Sequence, residues 1–275
     1  MKPVILFRSD RSREADEERA IAEKYFFTCG LRTDVPHDSL VIARYSCLPY
    51  YRELELDLAH KGSRLINAWP HHRWIADFDY YEELKDFTPR SWNDRNFYQC
   101  DYPGPFVLKG ATNSRKRQWK THMYAETKQD AVRVASELAN DPLIGPQGII
   151  YREFVKLKTF EIDPICDLPI TNEWRFFFIG DKLVSYGYYW STATDPSLGI
   201  IYQEGIDFAK SLAKIVANHT TFFVLDIAEK EDGSWVLIEV NDGQMSGLSE
   251  TDPNFFYNSL RTVLKAHGHS DYHTH

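Results

Sequence analysis

The residues with the clearest chemical potential are two acids and an amide carried by neighbouring apolar segments. Asp226 ends an apolar run that starts at Phe222, and Glu239 and Asn241 follow in the spacing Asp-x12-Glu-x-Asn. Side chains alternate along a strand, so Glu239 and Asn241 project from one face. A hairpin between the two segments would bring Asp226 beside them. Two carboxylates and an amide oxygen form a hard-oxygen site that suits Mg²⁺.

The alternative for these acids is a pair of solvated carboxylates at a strand edge. Their neighbours in the sequence are Leu225, Ile238 and Val240. Burying acids among such residues without a cation is costly. We therefore favour the metal site.

A metal that binds phosphate needs positive charge opposite it. Lys109 ends a short apolar strand and is followed by a polar loop with a basic run at 115–117. Flexible loops of this kind can cover phosphate groups with side chains and backbone N–H groups. The spacing is not that of a Walker loop, and an ordinary solvated loop is the alternative.

Two kinds of element must position these residues. The first 90 residues alternate strand and helix patterns, and the order βαβαβ up to Asn67 favours a small parallel sheet. The remainder combines amphipathic helices with runs of β-branched and aromatic residues, which favours antiparallel sheets with hairpins at 180–181 and 230–233. The predicted strands are 3–7, 39–45, 64–67, 105–109, 148–155, 173–179, 182–190, 221–228 and 234–240. The predicted helices are 12–27, 50–60, 126–140, 205–218 and 253–267.

Composition excludes several classes of protein. The formal charge of −8 disfavours a general nucleic-acid binder. No stretch approaches the roughly 20 apolar residues of a membrane span, and the short apolar run Val4–Phe7 is no signal peptide. The four cysteines lie far apart, without a zinc or disulfide pattern. We expect a cytoplasmic protein without a membrane partner.

The chain ends in a histidine-rich segment. Such a cluster can bind a metal, but without a second ligand group or fixed spacing a frayed terminus is the favoured interpretation. The histidines are His267, His269, His273 and His275.

The ordered set of motifs resembles the ATP-grasp superfamily, over about 105–247. The motifs are Phe106-Val-Leu-Lys109, Tyr151-Arg-Glu-Phe-Val155, Glu173-Trp-Arg-Phe-Phe-Phe178, Leu225-Asp226 and Ile238-Glu-Val-Asn241. The resemblance implies a mixed α/β plus α+β fold that holds ATP between two α+β subdomains. It implies an N-terminal parallel α/β domain at 1–90, a small subdomain with the phosphate-covering loop at 91–150, and a large subdomain with the Mg²⁺ site at 151–275.

The resemblance also assigns roles to individual residues. Lys109 would contact ATP phosphates, and Arg175 would face the γ-phosphate or an acyl phosphate, which makes these two the catalytic candidates. The metal ligands would be Asp226, Glu239 and Asn241. The remaining nucleotide contacts would be Arg152, Glu153, Phe154 and Val155 on the hinge strand and Glu161 at the ribose, and the second substrate would lie against Gly243, Ser246 and Gly247.

The chain departs from the family pattern at two places. Many members carry a basic residue at the end of the strand that here reads Tyr188-Tyr-Trp190. The family's front lysine has no clear counterpart, and Arg73, in His71-His-Arg-Trp74, is the predicted substitute. For Arg73 and His72 the alternative is a structural place on a surface helix.

Members of the superfamily mostly phosphorylate a carboxylate with ATP and let an amine or thiol attack the acyl phosphate. The resemblance therefore implies an ATP- and Mg²⁺-dependent carboxylate–amine ligase whose partners are a small-molecule, amino-acid or peptide carboxylate and an amine. Two alternatives remain open: phosphoryl transfer to a hydroxyl, and a non-catalytic module that binds nucleotide or protein. The sequence identifies neither the substrates nor the oligomeric state.

Overall fold

The computed structural model describes residues 1–8, 13–191, 193–266 and 268. These residues form seven α-helices and fourteen strands, and the strands make up three four-stranded sheets and one two-stranded ribbon. The strands are β1 (Lys2–Leu6), β2 (Phe27–Cys29), β3 (Ser39–Ala43), β4 (Arg64–Leu65), β5 (Ser91–Asn93), β6 (Phe106–Gly110), β7 (Tyr124–Ala125), β8 (Ile149–Glu153), β9 (Thr159–Ile162), β10 (Pro169–Thr171), β11 (Glu173–Ile179), β12 (Lys182–Tyr188), β13 (Phe222–Glu229) and β14 (Trp235–Asp242). The helices are α1 (Arg13–Ala22), α2 (Tyr51–Ala59), α3 (Trp69–Ala76), α4 (Tyr80–Leu84), α5 (Lys128–Ala139), α6 (Gln203–Val216) and α7 (Pro253–Ala266).

The N-terminal sheet is parallel throughout, in the order β2-β1-β3-β4. All five residues of β3 are buried, as expected for a sheet with both faces covered. The sequence pattern missed β2, which has only three residues and an exposed Phe27.

The second sheet is antiparallel, in the order β5-β8-β6-β7. Helix α5 covers one face of it with Ala131, Val134 and Leu138. This helix begins after Thr127, whose hydroxyl accepts a hydrogen bond from the Asp130 N–H at 3.1 Å and so satisfies one of the free donors of the first turn. Lys109 lies near the end of β6, which pairs with β7 on one side and β8 on the other.

The third sheet is antiparallel, in the order β12-β11-β13-β14. Alternation along β11 sends Phe176 and Phe178 into a core with α6, while Phe177 packs toward α7 and the N-terminal sheet. The predicted turn between β11 and β12 contains Gly180 at φ 55°, a conformation that glycine adopts without a steric penalty. Both faces of this sheet are thus packed along much of its length.

A β-bulge at Ile238 connects the second and third sheets. Asp226 pairs with Glu239 and Ile227 pairs with Leu237, so Ile238 has no partner of its own. Its carbonyl accepts a hydrogen bond from the buried guanidinium of Arg152 on β8. The bulge therefore ties the metal-ligand candidates to the neighbouring sheet.

The fold class expected from the sequence is confirmed: a parallel N-terminal α/β unit followed by antiparallel sheets with helices. Boundaries differ in places, as β12 ends at Tyr188 and α5 begins at Lys128. The domain limits at 90 and 150 stay predictions. None of the described helices is both long and apolar enough to cross a membrane. His267, His269, His273 and His275 lie outside the described residues.

Candidate active site

Two adjoining cavities lie between the second and third sheets. The first, here called the apolar cavity, has a volume of about 370 Å³. The second, the polar cavity, has a volume of about 610 Å³. They share Ser114, Lys116 and Glu239 in their walls. One elongated ligand can therefore occupy both.

The apolar cavity suits a flat ring. Its walls come from β6, β8, β14 and the segment that follows β8. A concave site with an apolar lining and a few convergent polar groups is the usual form of a cofactor pocket. The apolar lining residues include Val107, Met123, Phe154, Val155, Leu157, Leu168, Trp190 and Ile238.

The floor of the cleft is a row of charged residues across three strands. Arg175 on β11 lies opposite Asp226 on β13, and Asp226 lies opposite Glu239 on β14. Residues at directly paired positions share a face of the sheet, as do residues two apart on one strand. Asn241 therefore joins this face, so the structure brings together the three predicted metal ligands and Arg175.

Each acid of this row has a cationic partner. The Arg175 guanidinium donates to both carboxylate oxygens of Asp226, with N···O distances of 2.8 Å. The Asn241 amide donates to Asp226 at 3.2 Å, and the ammonium of Lys109 pairs with Glu239 from the opposite sheet. These contacts hold the row in one geometry.

Burial and charge shift the pKa values of these groups in opposite ways. Burial is the largest influence on Lys109 and lowers the pKa of its ammonium, which the Glu239 carboxylate only partly offsets. Burial also opposes the charge of Glu239, yet the attraction of Lys109 leaves the pKa of Glu239 below its usual value. The Asp226 carboxylate raises the pKa of Arg175 despite burial of the guanidinium. The carboxylate at position 239 is thus kept in the form that binds cations.

The donor set fits a magnesium ion. Asp226, Glu239 and Asn241 supply hard oxygen atoms from adjacent positions beside a cavity large enough for phosphate oxygens and waters. The two carboxylates are paired here with Lys109 and Arg175, so a metal ion would compete with these cations for the same oxygen atoms. Among the described residues there is no cluster of three or more His, Cys, Asp or Glu side chains suited to a metal. The predicted metal site contains only two acids, Asp226 and Glu239, so its third protein ligand must be the Asn241 amide oxygen.

Lys116 supplies a cation beside Tyr189 and Trp190, which follow β12 and carry no charge themselves. Its ammonium lies 2.5 Å from the Tyr189 hydroxyl and 3.9 Å and 4.6 Å from the ring centroids of Tyr189 and Trp190. Arg115, one residue earlier, turns away and pairs with Asp141. A lysine of the loop after Lys109 thus approaches the segment Tyr188–Trp190, where the resemblance predicts a basic residue.

Glu173 is a buried acid beside this lysine. It lies two residues before Arg175 on β11 and lines the apolar cavity. Burial raises its pKa to about 7, and the neighbouring Lys116 counteracts part of the effect. Glu173 has no predicted role in the site, although its two-residue spacing from Arg175 places it on the same face of the strand.

The hinge strand contributes side chains as well as backbone. Arg152, Glu153, Phe154 and Val155 all line the apolar cavity. The Phe154 N–H is already used, because it donates to the Pro105 carbonyl at 2.9 Å. One terminal nitrogen of the Arg152 guanidinium is buried and has no hydrogen-bond partner among the described residues.

Three predicted site residues lie elsewhere. Arg73 is exposed and pairs with Asp77 one helical turn later. Glu161 accepts a hydrogen bond from the Thr194 N–H at 2.8 Å, and within the described residues it lines neither cavity. Gly243 packs against the Phe222 ring, and its carbonyl accepts from Arg44 at 2.8 Å.

The two remaining substrate candidates do line the polar cavity. Ser246 and Gly247 follow β14, and the Gly247 carbonyl accepts a hydrogen bond from Arg175 at 2.9 Å. The loop is therefore fixed against the floor of the site.

The fold and the cleft define a nucleotide-binding architecture made of two antiparallel sheets behind a parallel α/β unit. A family model for the ATP-grasp domain, R2K clade family 3, matches residues 94–260, well over half of the chain. The chain belongs to this ATP-grasp family. The prediction of an ATP-grasp, ATP-binding protein is confirmed.

Solved structures share the fold at low sequence identity. The D-cycloserine synthetase DcsG is 14% identical with a TM-score of 0.60, covering 95% of this chain and 99% of its own. The ATP-grasp ligase PsnB with a minimal precursor is 14% identical, with a TM-score of 0.56 and the same coverage. The D-alanine–D-alanine ligase from Bacillus anthracis, complexed with ATP, is 11% identical with a TM-score of 0.55, covering 98% and 99%. No match was found among curated proteins.

Proposed function

We propose that the protein is an ATP- and Mg²⁺-dependent ligase that activates a carboxylate as an acyl phosphate for attack by an amine. The observation that carries this proposal is the row of Arg175, Asp226 and Glu239 beneath the polar cavity, with Asn241 beside it. Proteins with this fold include PsnB, complexed with a precursor peptide, and a D-alanine–D-alanine ligase. We infer a substrate pair of the same chemical kind.

The chain's own residues have distinct parts in this reaction. The apolar cavity would hold the nucleobase, and Asp226, Glu239 and Asn241 would hold Mg²⁺, which would offset the negative charge of the phosphates. Lys109 and Lys116 would contact the phosphates from the second sheet and the loop. Catalysis of this type depends on positioning and electrostatics rather than on a nucleophilic side chain.

Arg175 would stabilise the negative charge that develops on the transferring phosphate. Its guanidinium lies at the junction of Asp226, Gly247 and the Tyr189 ring, whose centroid is 4.8 Å away. The fork of Arg175 could instead hold two phosphate oxygens with two parallel hydrogen bonds. The ion pair thus keeps the Arg175 guanidinium and the Asp226 carboxylate in place beside the polar cavity until ligands bind them.

The test combines Mg-ATP, a panel of amino acids as carboxylates, and hydroxylamine, a small nucleophile that traps acyl phosphates as hydroxamates. We expect carboxylate-dependent release of ADP together with hydroxamate. A carboxylate labelled with heavy oxygen should transfer label into inorganic phosphate. ADP release that ignores every carboxylate, or a stable phosphorylated hydroxyl product, would contradict ligase chemistry.

A further inference from the structure

A third cavity lies next to the polar cavity, at the meeting point of three parts of the chain. Its volume is about 150 Å³, roughly five times the space of one water molecule in the liquid. It shares five lining residues with the polar cavity, namely Thr112, Asn113, Asn241, Met245 and Ser246. The N-terminal α/β unit contributes Ser46, Leu48, His72 and Ile75, and Asp242 of β14 completes the wall.

His72 is the ionisable residue of that wall outside β14. It is only 2% exposed, and its ring stacks on Tyr51 with centroids 4.7 Å apart and planes 21° apart. The Nδ1 atom lies 3.2 Å from an Asp242 carboxylate oxygen. The imidazole is therefore held by packing on one face and by an acid at one nitrogen.

Asp242 is organised to accept a hydrogen bond from His72. Its other carboxylate oxygen accepts from the Asn67 amide at 2.8 Å and from the Gln244 N–H at 3.0 Å. With Asp242 as the acceptor in this contact, Nδ1 is the donor, and a ring that carries one proton then has none on Nε2. The Nε2 atom then bears a lone pair, and it receives no hydrogen bond from any described residue.

We propose that this third cavity binds the amine of the second substrate and that His72 Nε2 takes the proton of the attacking amine. The proposal rests on the proposed ligase function. Asp242 is then a positioning residue, because it fixes the tautomer and orientation of the imidazole. The volume restricts the reacting end of the acceptor to the size of a small amino acid.

The step balances as an acyl transfer. The amine nitrogen forms the C–N bond, the C–O bond of the acyl phosphate breaks, and inorganic phosphate leaves with the bonding electrons. The surplus proton on nitrogen passes to Nε2, where Asp242 stabilises the imidazolium, and then leaves to solvent or to phosphate. General base catalysis of this kind contributes about 10²–10⁴-fold to the rate.

The kinetic test compares two nucleophiles on the full chain with Mg-ATP and the amino-acid panel. Ethylamine is protonated at neutral pH and needs a proton acceptor, whereas hydroxylamine is largely neutral and reacts without one. We expect His72→Gln to lower amide formation with ethylamine by about 10²-fold or more while hydroxamate formation changes far less. His60→Gln, an exposed histidine outside the cavity, should leave both unchanged. Equal losses with both nucleophiles, or no loss, would overturn the proposal.

Ser46→Leu is the second variant, since it fills the cavity without altering the contacts of His72 and remains useful if His72→Gln does not fold. It should raise KM for ethylamine more than KM for hydroxylamine, which is the smaller nucleophile; an unchanged KM for ethylamine would overturn the placement of the amine.

A spectroscopic test is independent of the ligase reaction. Nitrogen NMR of histidine-labelled protein, with His72 assigned by its loss in His72→Gln, should show protonated Nδ1 and unprotonated Nε2 in the neutral ring. Protonated Nε2 would overturn the assignment even in an active ligase. If wild type forms no hydroxamate while the Nδ1–H tautomer is found, the ligase proposal fails and the predicted imidazole geometry is upheld.

Discussion

Arg175 and Asp226 lie directly opposite each other on β11 and β13, and the guanidinium holds both carboxylate oxygens at 2.8 Å. The Asp226 side chain is 1% exposed and that of Arg175 is 11% exposed. A buried pair of this kind is weak evidence for net stabilisation, but removal of one partner leaves an uncompensated charge. The relationship therefore makes a clear prediction about stability.

We expect Asp226→Leu to lower the free energy of unfolding by about 3–5 kcal/mol, because it strands the Arg175 guanidinium among buried groups. The double variant Arg175→Met/Asp226→Leu should recover most of this loss. Urea unfolding of the single and double variants measures both effects. A single variant as stable as wild type would show that Arg175 finds another partner or reaches solvent.

The metal-ligand assignment predicts how Mg-ATP affects thermal stability. A nucleotide at about 100 times its dissociation constant should stabilise the fold by roughly 2.7 kcal/mol. Glu239→Gln should reduce the rise in Tm, because it removes a carboxylate from the predicted Mg²⁺ site. The measurement is thermal unfolding with ATP alone, Mg²⁺ alone and both. A rise that does not depend on Mg²⁺, or persists in full in the variant, would contradict the assignment.

The position of Lys116 predicts a loss of nucleotide affinity on Lys116→Met. A hydrogen bond to a charged group contributes about 1.5–3 kcal/mol, which corresponds to a rise in Kd of about tenfold to a hundredfold. Lys120→Met is the matched control, because the exposed Lys120 of the same segment pairs with Asp167. Calorimetric titration with Mg-ADP and Mg-ATP provides the comparison. Equal effects of the two variants would mean a general charge effect of the loop.

The burial of Glu173 predicts that the free energy of unfolding depends on pH. Burial raises its pKa from 4.5 to about 7, so between these values the unfolded chain releases this proton while the folded chain keeps it. The contribution of Glu173 to the free energy of unfolding therefore falls as pH rises, by roughly 1.4 kcal/mol per pH unit within this window. Glu173→Gln, neutral throughout, should lack this fall. Parallel stability curves for wild type and variant from pH 4.5 to 7 would rule out the shift.

The position of Arg73 predicts that removing its side chain does not change nucleotide affinity. Its side chain is 51% exposed and pairs with Asp77 on the same helix, and such exposed pairs contribute about 0.2–1 kcal/mol. Arg73→Ala should therefore leave the Kd for Mg-ATP unchanged in a calorimetric titration. A large loss of nucleotide affinity would restore Arg73 as the substitute for the family's front lysine.

Local patterns were sufficient for much of the fold. Alternation and turn residues predicted β11, β12, β13 and β14 within a few residues, because buried strands and glycine turns have strong local signatures. Alternation also placed Glu239 and Asn241 on one face. β2 escaped prediction, since three residues carry too little periodicity and its pairing with β1 is a long-range contact.

The sequence by itself determined the ATP-grasp class, the polar face of the third sheet and the basic loop after Lys109, because each depends on residues close together in the chain. Only the tertiary structure decided which loop residue reaches Trp190, that Arg73 pairs with Asp77, and that His72 meets Asp242 across 170 residues. Those contacts depend on how sheets and helices pack side chains from distant segments. Packing is a property of the whole fold, and no local spacing encodes it.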